Sequence, residues 1–182
     1  MKTGPVSLRP VAASDLQLLE RMAVEPELGG LPNWFGFRNA GAVRRRFEAD
    51  GFLAEDNGLL MVVSDSAVVG QVSWHPVFHG PPASRCWNMG ISLLPEWRGR
   101  GLGSQAQHIL VEYLFATTAV MRVEAETLAD NIAEQRALEK AGFTREGVLR
   151  AAQFHRGAWR DITLYSHLRG EPIDEIPEDV QV

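Results

Sequence analysis

Arg98-Gly99-Arg100-Gly101-Leu102-Gly103-Ser104 follows a strand-like run, Cys86 to Leu94, that Pro95 closes. It opens an amphipathic helix in which Ala106, Ile109, Leu110, Tyr113 and Leu114 recur at i, i+3, i+4, i+7 and i+8. The first amides of a helix have no partner within it and the helix dipole adds positive potential, so this junction is an anion site. Glycines let the backbone approach phosphate oxygens closely, and Arg98 and Arg100 add fixed positive charge. A pyrophosphate suits that chemistry. A Walker loop is excluded because no lysine lies near the turn. The dinucleotide fingerprint fits in part: counted from Gly99, its third glycine position is Ser104. Glu124, about 20 residues on, stands where a ribose-binding acid would be.

Outward from the turn, Met121 to Thr127 reads as the next strand. Asn131 to Lys140 reads as a helix capped by Asp130 or Asn131 and stopped at Gly142. Residues 86 to 142 therefore form a parallel βαβ unit with a right-handed crossover. Toward the amino terminus, Val6 to Arg9 alternates as a strand. Ser14-Asp15-Leu16-Gln17 has the form of a capping box before a helix through Leu16, Leu19, Met22 and Ala23, and a second short helix spans Asn39 to Asp50. Leu59 to Ser64 and Ala67 to Trp74 flank Asp65-Ser66 as a hairpin, with Pro76 expected to end its second strand. Phe143 to Leu149 and Trp159 to Leu168 close the fold. The fold class is α/β (α+β): one domain whose mixed, mostly antiparallel sheet has a central parallel βαβ unit flanked by helices. Between the first two helices, Trp34, Phe35 and Phe37 sit in a stretch broken by Pro32 and Gly36, either as a lid over a substrate or as rings plugging the core.

Composition sets bounds on function. A chain of 182 residues, 45% hydrophobic, hides roughly 70% of its unfolded surface and folds without staples. Its single Cys86 permits no internal disulfide, and no Cys/His pair has zinc-ligand spacing, so no metal is expected. The longest apolar run, Leu59 to Val63, is far short of the roughly 18 residues of a membrane span. The first residues lack the apolar core of a signal peptide, and the expected location is cytoplasmic. Of the net charge of −5, −4 falls in residues 169 to 182, leaving the body near −1 and giving no electrostatic case for nucleic acid. Residues 1–168 are accordingly read as the domain and 169–182 as an acidic, mobile tail.

Two linked motifs carry a family resemblance. Arg98-x-x-Gly101-x-Gly103 follows a strand, and Asn131 opens a helix ending Glu139-Lys140-Ala141-Gly142-Phe143. Together they resemble the GNAT superfamily of N-acetyltransferases. Phe143-Thr144-Arg145-Glu146-Gly147 and Gly157-Ala158-Trp159-Arg160-Asp161 through Leu164-Tyr165 resemble its ribosomal-protein N-terminal (RimJ/RimL-like) branch, which also acetylates small molecules. The resemblance implies acetyl-CoA as co-substrate. The amides from Arg98 through Gly99, Arg100, Gly101, Leu102 and Gly103 to Ser104 would cradle its pyrophosphate. Leu93 and Leu94 would pair with the pantetheine arm and offer an oxyanion amide, and Asn131 would bond to that arm. The acceptor would be an amine, on a protein N-terminus or a small molecule, with Trp34, Phe35 and Phe37 shaping its site, and the enzyme a monomer or homodimer.

The catalytic pattern departs from the family. Where relatives carry a glutamate base this chain has Asn88, and where others carry one on the last hairpin it has Gln153. At the positions of the family's Tyr and Ser proton donors stand Leu138 and Glu134. Glu134, His155, His75 and His79 remain as titratable candidates, with Asn88 at the base position. An α-amine, with pKa about 8, is roughly a tenth neutral at pH 7, whereas a lysine is below about a thousandth, so positioning alone suffices for the former. The missing carboxylates leave open a non-catalytic CoA-binding or amine-sensing module. The partial fingerprint leaves open a dinucleotide-binding oxidoreductase.

Overall fold

The computed structural model describes residues 4–172. Seven strands form one sheet: β1 (Val6–Pro10), β2 (Gly58–Ser64), β3 (Ala67–Phe78), β4 (Arg85–Leu93), β5 (Arg122–Leu128), β6 (Thr144–His155) and β7 (Ala158–Leu168), in the order β1-β2-β3-β4-β5-β7-β6. Every neighbouring pair is antiparallel except β4 and β5. Helices α1 (Leu16–Val24), α2 (Pro26–Gly29) and α3 (Gly41–Asp50) precede β2, α4 (Leu102–Thr117) is the crossover between the parallel strands, and α5 (Ile132–Lys140) follows β5.

The apolar period of each element sorts it into one of two cores. Strand β2 serves both: Leu60 and Val62 join Ile109, Leu110 and Leu114 of α4, while Leu59 and Met61 join Leu16, Leu19 and Met22 of α1 on the other face. Helix α4 begins two residues earlier than its apolar period indicated. Gly101 takes a left-handed conformation at its N-cap (φ 79°), and Leu102 is already fully buried.

Four local expectations are corrected. Pro76 does not end β3, which runs to Phe78 with Pro76 opposite Trp87 of β4; β2 has already finished, Gly58 pairing with Trp74, so Pro76 faces a neighbour on one side only. The Ser14/Gln17 capping box does not form. Instead the Asp15 carboxylate accepts the Ala12 amide at 2.8 Å and the Arg9 guanidinium at 2.6 Å, an ion pair that holds its carboxyl below the usual range. Strand β6 extends beyond Leu149 to His155, with an irregular register between Leu149 and Gln153. Of the expected tail, Arg169 belongs to the fold, donating to the Val120, Phe115 and Thr118 carbonyls; residues 173–182 lie outside the described residues.

The last hairpin is clasped to the sheet by charge. Arg122, at the head of β5, binds Glu124 of its own strand and Glu146 of β6, and Ser166 of the intervening β7 donates to Glu146 at 2.7 Å. The bonds from Arg122 hold the Glu146 carboxyl at about 2. A depressed carboxyl contributes stability above its unfolded pKa of about 4.3, and that contribution is lost as pH falls toward 2. Glu124 is 1% exposed. Arg122→Ala strands that carboxylate beside His79 alone and is expected to cost about 3 kcal/mol in urea unfolding; an unchanged midpoint would contradict the assignment.

Candidate active site

The parallel ladder consists of Trp87↔Val123, Asn88↔Glu124 and Met89↔Ala125, and there it stops. Strand β4 continues to Leu93 and β5 to Leu128, so beyond Met89 the two diverge and open a cleft of about 440 Å³. Gly90 to Leu93 form one wall and Ala125 to Thr127 the other. The glycine turn closes one end, and α5 adds Asn131, Glu134, Arg136 and Lys140. On the edge that β5 has left, the Leu93 carbonyl accepts from Arg98 Nε at 2.9 Å and the Ile91 carbonyl from Asn33 Nδ2 at 3.1 Å. In a strand the amide and carbonyl of one residue point the same way, so the Ile91 and Leu93 amides face the cleft.

Seven of the ten expected cofactor-binding residues line this cleft: Leu93, Arg98, Gly99, Gly101, Gly103, Ser104 and Asn131. Gly99 and Gly101 both have positive φ and open space where a side chain would be, leaving their backbone accessible. Three residues sit elsewhere. Leu94 is buried in the α1 core and its amide donates to the Val69 carbonyl at 2.9 Å, so it is not available as an oxyanion donor. Leu102 is core, and the Arg100 guanidinium lies 5.1 Å from the Trp97 ring centre. Arg98 is engaged structurally, since beyond Leu93 its guanidinium also binds the Glu27 and Leu28 carbonyls, fastening α2 to the end of β4. Asn131 caps α5, accepting from the Glu134 amide and donating to Thr127 Oγ1 at 3.0 Å.

A second cleft, of about 430 Å³, lies across β4 from the first and shares Gly90, Ile91 and Ser92 with it. Leu19 and Met22 of α1, Arg46 of α3, Gln71 and Ser73 of β3, and the loop residues Trp34, Phe35 and Arg38 line it. Of the two readings of the aromatic segment, the core plug fails: Phe35 is 55% and Phe37 85% exposed. Trp34 and Phe35 face the cleft, whereas Phe37 is outside it, edge-on to Trp34 at 5.4 Å between ring centres.

The catalytic candidates separate. Glu134 alone faces the first cleft; burial pushes its carboxyl up to about 7, against the opposing effect of a hydrogen bond from the side-chain amide of the fully buried Gln107. His155 lines neither cleft. Its Nε2 lies 3.0 Å from the Leu31 carbonyl and its ring 5.8 Å from that of Phe35, tying the last hairpin to the aromatic loop. Asn88 is buried below the point of divergence, opposite His75 and Glu124, and outside both clefts.

His79 and Cys86, flanking one loop, meet the distant Glu124 with ligand atoms within 4.8 Å of one another. Glu124 Oε1 already holds both His79 Nε2 and Arg122 Nε, and burial pushes the Cys86 thiol up to about 11, so it stays protonated at neutral pH. This is an ion-paired brace beneath the cleft. It also removes the dinucleotide reading, whose ribose acid was to be Glu124 and whose doubly wound sheet is replaced by a mostly antiparallel one. Sequence reasoning missed Arg136 and Lys140, although Ala133, Arg136, Ala137 and Lys140 keep the spacing of one helical face. For Gln107, Gln71, Arg38 and Arg46 no local pattern existed.

A sheet split between its two parallel strands, with a glycine turn and helix N-terminus at the mouth of the split, is the architecture of an acetyltransferase fold. The chain belongs to the Acetyltransferase (GNAT) domain family, whose profile matches residues 6–144. It is 31% identical over 102 residues to the probable N-acetyltransferase YjcK of Bacillus subtilis, a match covering 56% of this chain and 55% of that one; the chain spans about half the length of the curated relatives it matches. Among solved structures it resembles RimL, a ribosomal L7/L12 α-N-protein acetyltransferase in complex with coenzyme A (TM-score 0.76, 16% identity, 92% of this chain and 96% of that one). It is equally close to spermidine N-acetyltransferase of Vibrio cholerae with CoA and spermine (TM-score 0.76, 16% identity, 91% and 96%).

His155→Ala is expected to release the aromatic loop: amide exchange of residues 31 to 37 quickens several-fold while that of β4 does not change. Equal protection in both proteins would remove His155 as the anchor.

Proposed function

We propose that this protein transfers the acetyl group of acetyl-CoA to a primary amine, on a protein N-terminus or a small molecule, by direct attack within a ternary complex. The observation that carries this reading is the meeting of two clefts at Gly90 to Ser92, one suited to a phosphate-bearing chain and the other to an acceptor. Acetyl-CoA fits the first cleft on its donor set: the backbone of Gly99, Gly101, Gly103 and Ser104 at a helix N-terminus, Arg136 and Lys140 for phosphate, and the unpaired β4 edge for the pantetheine amides. The co-substrate supplies an activated acetyl carbon.

The chain's own residues do the rest. The Leu93 amide, aimed into the cleft, is the donor for a developing oxyanion. Glu134, with its carboxyl near 7, is half protonated at neutral pH and delivers the proton that the departing thiolate needs as the C–S bond breaks; the proton shed by the attacking nitrogen as the C–N bond forms passes to solvent, from which Glu134 is reprotonated. No carboxylate base is required for an α-amine, already about a tenth neutral at pH 7, and the second cleft needs only to hold it beside β4. No helix of the described residues is long and apolar enough to cross a membrane. The same reading puts the protein in the reducing cytoplasm, as a monomer or homodimer, with Cys86 a thiol.

Binding is tested by thermal melts. Acetyl-CoA and CoA at about 100 times Kd add about 2.7 kcal/mol, several degrees for a domain of this size, and NADH adds nothing. A shift with NADH alone would return the dinucleotide reading, and CoA binding without turnover of any amine would identify a non-catalytic module. For Glu134→Gln, kcat is expected to fall about 100-fold. As an acid Glu134 is active below about 7, so kcat of the wild type declines as pH rises through that value and the variant loses this decline. A wild-type pH profile in the variant would dismiss Glu134 as the acid.

A further inference from the structure

The second cleft carries charge of one sign. Its charged lining residues are Arg38 and Arg46, and no Asp or Glu lines it. Arg46 is held in place by a hydrogen bond to Asn57 Oδ1 and by the Phe52 ring, 4.8 Å from its guanidinium carbon. The Arg38 guanidinium has neither ion pair nor hydrogen bond among the described residues and lies beside Trp34 and Phe35 on the exposed loop. An acceptor cationic along its length, such as a polyamine, meets only repulsion there and no carboxylate to neutralise it.

The cleft has an opposite pole. Gln71 stands directly across from Ser92, at the stretch of β4 that both clefts share. Its side-chain amide bonds to no described protein group, and its oxygen is buried without a partner. Gln71 lines the cleft and its side-chain amide makes no bond to the described residues, which leaves its oxygen as an acceptor in need of a donor. An amine N–H is such a donor, located where the acetyl group must be transferred.

We propose that the acceptor is a small amine bearing an anionic group, carboxylate or phosphate, with its nitrogen at Gln71 and its anion between Arg38 and Arg46. The inference rests on the acetyl-transfer reading and names its substrate class. A cleft of about 430 Å³ is of small-molecule size.

The test is acetylation of charge-matched pairs by the purified protein, read as release of free CoA thiol. The pairs are an α-amino acid against its carboxamide and phosphoethanolamine against ethanolamine, with spermidine as the cationic extreme. The wild type is expected to prefer the anionic member of at least one pair by about tenfold or more in kcat/KM per unprotonated amine, the worth of a charge-assisted hydrogen bond, and to use spermidine least; which pair responds separates carboxylate from phosphate. Arg38→Ala, at an exposed site without structural partners, is expected to reduce that ratio through KM of the anionic member. Arg38→Glu is expected to move the preference toward spermidine, and Gln71→Leu to raise KM for both members of a pair. Equal use of charged and neutral members, or a ratio that survives both Arg38 variants, overturns this inference and leaves acetyl transfer standing. Transfer to no amine in the panel, with CoA still bound, overturns both.

Discussion

Everything in this protein follows from the early end of one parallel ladder. Strands β4 and β5 share hydrogen bonds only as far as Met89 and Ala125. Above that point a sheet would ordinarily continue, because strand edges left without partners are costly once buried. Here the edge is instead served by side chains, one from a distant loop and one from the turn that follows β4. Asn33 takes the Ile91 carbonyl and Arg98 the Leu93 carbonyl, so the amides are what remain for a ligand. The brace of His79, Cys86, Glu124, Arg122 and Glu146 lies below the divergence and keeps the paired part closed, which concentrates the opening at the site.

Two carboxylates near this opening, the buried Glu124 and the half-buried Glu134, are treated in opposite ways. Glu124 is surrounded by a histidine and a guanidinium, which compensate its burial. Glu134 receives only a neutral amide from Gln107, so its burial is uncompensated and its proton is held to neutral pH. One serves the sheet, and the other has the proton affinity of a group that exchanges a proton in catalysis.

Much of this was legible in the sequence, for reasons of range. The glycine turn, the apolar period of α4 and the Asn131 cap are local signals, and each element formed where its pattern lay, with α4 extended to Leu102 by the left-handed Gly101. The failures were of long range. Pro76 reads as a strand terminator unless one knows that β2 ends at Gly58, and Ser14 reads as a cap unless one knows that Arg9 lies beside Asp15. The first cleft was largely readable because a contiguous turn builds its mouth. Of the second cleft only Trp34 and Phe35 were readable, because Arg38, Arg46, Gln71 and Ser73 come from a loop, a helix and a strand and share no spacing.

The bond between His155 and the Leu31 carbonyl spans 124 residues. Contacts of such separation are among the last a chain can make, since the intervening loop must first be ordered. During synthesis the aromatic loop emerges well before its fastening and waits for it until the β6–β7 hairpin has left the ribosome. That side of the second cleft is thus fixed only once β6 and β7 have formed, and a nascent fragment that has already built the glycine turn still lacks it.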